Sequence, residues 1–186
     1  MLIFLSKGKL HMKCGEKIDV LRGERHIGLG GICASLWLDG NGEFMTVSGG
    51  QQEKVLRSLE KIGLVAFDEC PDADARYRIL SHCIFKVSEQ DRADSIQGME
   101  REIYIWLKDA GLSLSAAELI RLYEQGAHPN EELLGKENIY RLVMEIYSSV
   151  LSSDNRLEFM MNHAESRDGV VDALLKLLKK GYIEIV

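Results

Sequence analysis

The sequence predicts an α+β protein of two units: a strand-rich one over residues 1–87 and a mostly helical one over 99–186, joined by a polar linker at 88–98. Three observations carry this. Short apolar runs punctuated by Gly, Asn and Asp dominate the first half, the mark of strands and tight turns. Through the second half apolar residues recur at helical spacing, the mark of helices packed by one face. Between them, Ser88 to Ser95 is the most polar stretch of the chain and cannot bury itself.

The opening run Met1 to Leu5 is too short for a membrane span of roughly 20 residues and reads as a first strand. Lys9 to Cys14 and Ile18 to Arg22 read as two more. Gly28-Leu29-Gly30-Gly31 reads as a turn, and Ile32 to Leu38 fits either helix or strand. Asp39-Gly40-Asn41-Gly42 is a turn signal before a strand at Glu43 to Val47. Over Gln51 to Ile62 the spacing predicts a helix with Val55, Leu56, Leu59 and Ile62 inward, Lys54, Arg57 and Lys61 outward, and Gly63 as its stop. Leu64 to Phe67 is expected as a strand, with Arg76 to Val87 returning as its hairpin partner across the acidic turn from Asp68 to Asp74.

In the second half, Met99, Ile103, Trp106, Leu107 and Ala110 form one stripe. Ser115-Ala116-Ala117-Glu118 has the form of a capping box opening a helix through Tyr123. Ile139 to Val150 is the most regular helical pattern, and Asn155 to Ala164 is expected as a further helix. Val170, Val171, Leu174, Leu177 and Leu178 belong to a last helix that stops at Gly181 before a terminal strand, Tyr182 to Val186. Trp37, Trp106, Tyr140 and Tyr147 fall in apolar stripes and are expected in the core.

Composition removes whole classes of function. With 46% apolar and 28% charged residues the chain has enough apolar side chain for a core. The four cysteines, Cys14, Cys33, Cys70 and Cys83, contain no C-x-x-C pair, so neither a disulfide framework nor a zinc knuckle is expected; reduced thiols place the protein in the cytoplasm. His11-x-x-Cys14 and the adjacent His82-Cys83 are too scattered to predict a metal centre, and no cofactor is predicted. The Gly28 to Gly31 run lacks the third glycine of a dinucleotide fingerprint, because position 33 is Cys33. No G-x-S-x-G, H-E-x-x-H or P-loop is present, and His128 and His163 have no nucleophile nearby in sequence, so the expectation is a protein that binds rather than an enzyme.

Charge sets the terms for partners. Residues 1–87 hold 12 Lys or Arg against 11 Asp or Glu, a net of +1, while residues 88–186 hold 11 against 18, a net of −7. A polyanion would therefore be met by the first half alone.

Laying Gly63 over Gly181 matches Leu59 with Leu177 and Leu64 to Phe67 with Tyr182 to Ile185. An amphipathic helix, a leucine, a glycine four residues later and an apolar strand resemble the third helix and first wing strand of the winged helix-turn-helix superfamily. In the second half, Glu100 to Leu112 followed by Ser113 to Ile120 resembles that family's first two helices, although roughly 30 extra residues separate them from the last helix, and the first half leaves little room for a second helix. Gly31 to Leu64 is also similar to the winged-helix peptide-recognition elements of peptide-modifying enzymes.

The resemblance implies that Lys54, Arg57 and Lys61 on the third helix, with Arg76 and Arg78 on the wing, meet DNA. The expectation is a non-enzymatic, DNA-associated regulatory protein whose acidic second unit serves self-association or a protein partner. The acidic wing tip Asp68, Glu69, Asp72 and Asp74 opposes DNA and keeps open a second reading, a protein or peptide recognition module on the same scaffold.

Overall fold

Leu2–Ser6 forms β1, and its buried Leu2, Phe4 and Leu5 make the opening apolar run the centre of a sheet. In this computed structural model residues 1–81, 83–88, 96–109, 113–130, 134, 144 and 167–186 are described. They divide into two units, residues 1–79 with 184–186 and residues 80–183. Helices and antiparallel strands are mixed in both, so the fold is α+β.

In the first unit, β2 (Lys9–Cys14), β3 (Lys17–Arg22) and β4 (Arg25–Gly30) form an antiparallel meander in that order. Residues 25–30 are thus a strand: Leu29 is buried on the core side, and Gly28 and Gly30 are strand residues rather than part of a turn. Ile32 to Leu38 resolves as helix α1 (Gly31–Asp39), which buries Ala34, Leu36 and Trp37. Then follow β5 (Met45–Val47), α2 (Gly50–Lys61) and β6 (Val65–Asp68). Both β5 and β6 pair antiparallel with β1, so α2 connects two parallel strands across it. Leu56 and Leu59 of α2 join Phe4, Val20, Trp37, Leu64 and Val65 in one core. Ile62, expected on the buried face, is 51% exposed, because the helix has ended and the chain is already turning.

That turn is a Schellman cap. Gly63 N–H donates to Glu60 O at 2.7 Å, Leu64 N–H donates to Leu59 O at 2.9 Å, and Gly63 holds a φ of 75° that a side chain would strain. Arg22 packs its guanidinium where a Gly63 Cβ would stand.

The expected hairpin of residues 64–67 with 76–87 does not form. Ala75–Ser81 is helix α3, and Ile84–Val87 is a strand, β7, of a different sheet. Alternation of Ala75, Tyr77 and Ile79 with two arginines imitates a strand, but all three are buried from a helix. Asp74 decides the matter, since its carbonyl accepts from Tyr77 N–H at 3.0 Å and Arg78 N–H at 3.1 Å and so opens the helical turn.

In the second unit, α4 (Gly98–Asp109) buries Ile103, Trp106 and Leu107; β8 (Leu114–Ser115) leads into α5 (Ala116–Glu124); and α6 (Arg167–Lys179) is followed by β9 (Ile183–Ile185), of which Ile183 alone belongs to this unit. Within this unit β7 pairs antiparallel with β8. The capping box is formed: Glu118 N–H donates to Ser115 Oγ at 3.2 Å, and Ser115 N–H donates to the Glu118 carboxylate at 2.7 Å. Helix α6 ends as α2 does, with Gly181 N–H donating to Leu178 O at 2.9 Å and Tyr182 N–H to Leu177 O at 3.0 Å. Apart from Met144, the helices expected over 139–150 and 155–164, and most of the linker, lie outside the described residues.

Candidate functional site

Lys54, Arg57 and Lys61 stand at i, i+3 and i+7 of α2, all exposed, on the face opposite Leu56 and Leu59. The helix therefore presents the basic stripe that its periodicity predicts. Its neighbours reduce that charge. Arg57 donates to Glu69 Oε1 at 2.8 Å with its guanidinium over the Phe67 ring, 5.3 Å from the centroid. Both partners of the ion pair are largely exposed, so the pair itself is weak.

Arg76 and Arg78 sit on α3, not on a wing. The guanidinium of Arg76 lies over the Tyr77 ring and donates to its hydroxyl. Arg78 is the hub of the acidic loop: its Nε donates to Asp68 Oδ2 at 2.7 Å, and its Nη2 donates to Cys70 O at 2.8 Å and Asp72 Oδ1 at 2.9 Å. These bonds hold the Asp68 and Asp72 carboxyls below their ordinary value and raise Arg78 further into its charged range. Three of the four carboxylates expected to repel phosphate, Asp68, Glu69 and Asp72, are thus paired with two of the arginines expected to attract it, Arg57 and Arg78.

A carboxylate whose folded pKa is depressed adds stability that is present above its ordinary value of 3.8 and lost as pH falls through the folded value. Asp68→Asn is therefore expected to cost about 1 kcal/mol at neutral pH, modest because the pair is partly exposed. In urea titrations the gap between wild type and variant should close below about pH 4; a gap independent of pH would exclude the Arg78 pairing as its source.

In the same unit, the β2–β3 turn and α1 line a groove of about 540 Å³. Ile18, Ala34, Leu38 and the 38%-exposed Ile32 give it an apolar floor, with Lys13 and Glu16 at the rim. Strand β2 borders it and, among the described residues, pairs only with β3. Met12 on this edge strand is 59% exposed. A second groove, of about 670 Å³, places Lys61 beside Arg25, His26, Ile27 and Ile62.

The chain matches no protein-family model, no curated protein and no solved structure. No described helix is long and apolar enough to cross a membrane.

Sequence reasoning located the α2 stripe because one helix carries it. It missed the groove, whose lining comes from two strands, a turn and a helix that only the fold brings together. Edge position was equally hidden, since β2 looks like any other strand until its neighbours are known.

Proposed function

We propose that this protein is a non-catalytic recognition module, and that its first unit binds an extended segment of a partner protein along β2. The observation that carries this reading is an open strand edge at the rim of a groove of mixed polar and apolar lining. A partner strand would draw affinity from main-chain hydrogen bonds and specificity from one side chain seated in the groove. Residues 7–17 hold Lys7, Lys9, Lys13 and Lys17 against Glu16 alone, which favours an acidic segment with an apolar anchor. Lysines are also how proteins protect an edge from pairing with copies of itself. Here the same charges that repel a second basic edge attract an acidic one.

The DNA-associated reading rests on the exposed Lys54, Arg57 and Lys61 stripe. It is the weaker of the two, because Arg57, Arg76 and Arg78 already have partners within the chain.

Panning a displayed peptide library on the protein and titrating the enriched peptides into isotope-labelled chain tests the proposal. Perturbed amides should map to residues 9–18 and 31–38, and Lys13→Glu should weaken binding about tenfold, the scale of one ion pair at a partly desolvated rim. Peptides that map elsewhere, or indifference to Lys13→Glu, would reject it. Duplex DNA binding that falls steeply with salt and is weakened by Arg57→Glu would instead support the DNA reading.

A further inference from the structure

The outer face of the meander carries a group of side chains that the peptide reading does not use. In the pairing of β2 with β3 the register runs Leu10 to Val20 and then Met12 to Asp19, so His11 is the extra residue of a β-bulge. A bulge breaks the alternation of a strand and re-aims the side chain it carries. Here it brings His11 to His26 of β4, their rings edge to face with centroids 4.8 Å apart, although β3 lies between the two strands. Asp19 of that central strand hydrogen bonds His26, Oδ2 to Nδ1, at 2.6 Å. One donor atom from each of the three lies within 4.8 Å of the other two.

We infer that His11, His26 and Asp19 form a binding site for a divalent transition metal. Two imidazoles and one carboxylate are a donor set that suits zinc, nickel, copper or cobalt, whereas magnesium and calcium prefer oxygen alone. With metal–ligand bonds of about 2.1 Å, tetrahedral ligand atoms stand roughly 3.4 Å apart. The donors reach that spacing by rotation of side chains, because His11 and His26 are exposed and Asp19 is only partly buried. Rotation releases the bond between Asp19 and His26 and turns the carboxylate toward the ion. Three protein ligands leave a coordination position for water or for an outside group.

The surroundings bound the strength. Lys17 lies two residues from Asp19 on β3, and Lys9 stands opposite Leu21, so the face is not acidic and gathers no hard cation by charge alone. Selectivity comes from the imidazoles. Since the three ligands tie all three strands of the meander together, an ion bound to the folded form raises its stability by mass action.

The test uses the full chain under reducing conditions with Zn²⁺ and Co²⁺ as probes. Calorimetry should give a binding event of one equivalent that His11→Ala or His26→Ala weakens by at least about 10- to 100-fold, the loss already caused by removing a mere hydrogen-bond partner of a metal ligand. Asp19→Ala should weaken it as well, and His128→Ala should leave it unchanged. The bound Co²⁺ should show visible bands without the intense near-ultraviolet absorption of a thiolate ligand. An affinity insensitive to His11→Ala and His26→Ala, the absence of binding, or a signal abolished by Cys14→Ser would overturn the assignment. None of these readouts depends on peptide binding, so the two proposals stand or fall separately.

Discussion

Trp37→Ala is expected to remove about 4 kcal/mol from the stability of the first unit. The indole is fully buried in the same core as Phe4, Leu56, Leu59 and Leu64, where β1, α1, α2 and β6 converge. Deleting it forfeits the transfer free energy of a large ring and leaves a cavity that the sheet closes only in part. It also costs a hydrogen bond, because Nε1 donates to Lys7 O at 3.1 Å, and that carbonyl would lose its side-chain donor. Trp37→Phe separates the two contributions: the ring survives, and the loss should fall to about 1–2 kcal/mol. The measurement is hydrogen exchange at the β1 and β6 amides, which reports this unit specifically where a whole-chain melt would mix it with the other. Exchange slowed or unchanged by Trp37→Ala would show that the core is not built on this residue.

How much of this was legible in the sequence depends on the range of the signal. Helix α2, its Gly63 stop, the Ser115 capping box and the Gly181 stop are each written within a few residues, and all four form as expected. Arg76 and Arg78 failed for an informative reason: the alternation from Ala75 to Ile79 is a genuine period of two, yet Asp74 starts a helix and buries all three apolar residues. Strand β4 was hidden by its glycines, which signal turns in sequence but here lie within a strand. The groove and the histidine pair were illegible in a deeper sense. His11 and His26 meet only because a bulge displaces one register position, a property of the pairing that no single strand encodes.

A second large effect is expected at Gly40, and its cause is space rather than backbone freedom. Its φ of −84° is open to any residue, so a glycine is not required for the turn itself. A Cβ there, however, would fall 2.5 Å from Phe4 Cε2, 2.7 Å from Ser6 Oγ and 2.9 Å from Phe4 Cδ2. Neither neighbour can yield cheaply. Phe4 is fully buried on the central strand of its sheet, and Ser6 Oγ donates to Trp37 O at 2.7 Å. The glycine cannot retreat either, because Ser6 N–H donates to Gly40 O at 2.9 Å and Gly40 N–H to Leu36 O at 3.2 Å. Gly40→Ala must therefore push β1 away from α1, at a cost of about 3 kcal/mol. Gly28→Ala is the matched control, since a Cβ on that strand glycine meets nothing within 4 Å and should change stability by under about 0.5 kcal/mol. If urea midpoints place the two alanine variants together, the close approach of α1 to β1 is wrong. The groove that α1 and the meander share would then lose its fixed wall, and with it the pocket for a partner's anchoring side chain.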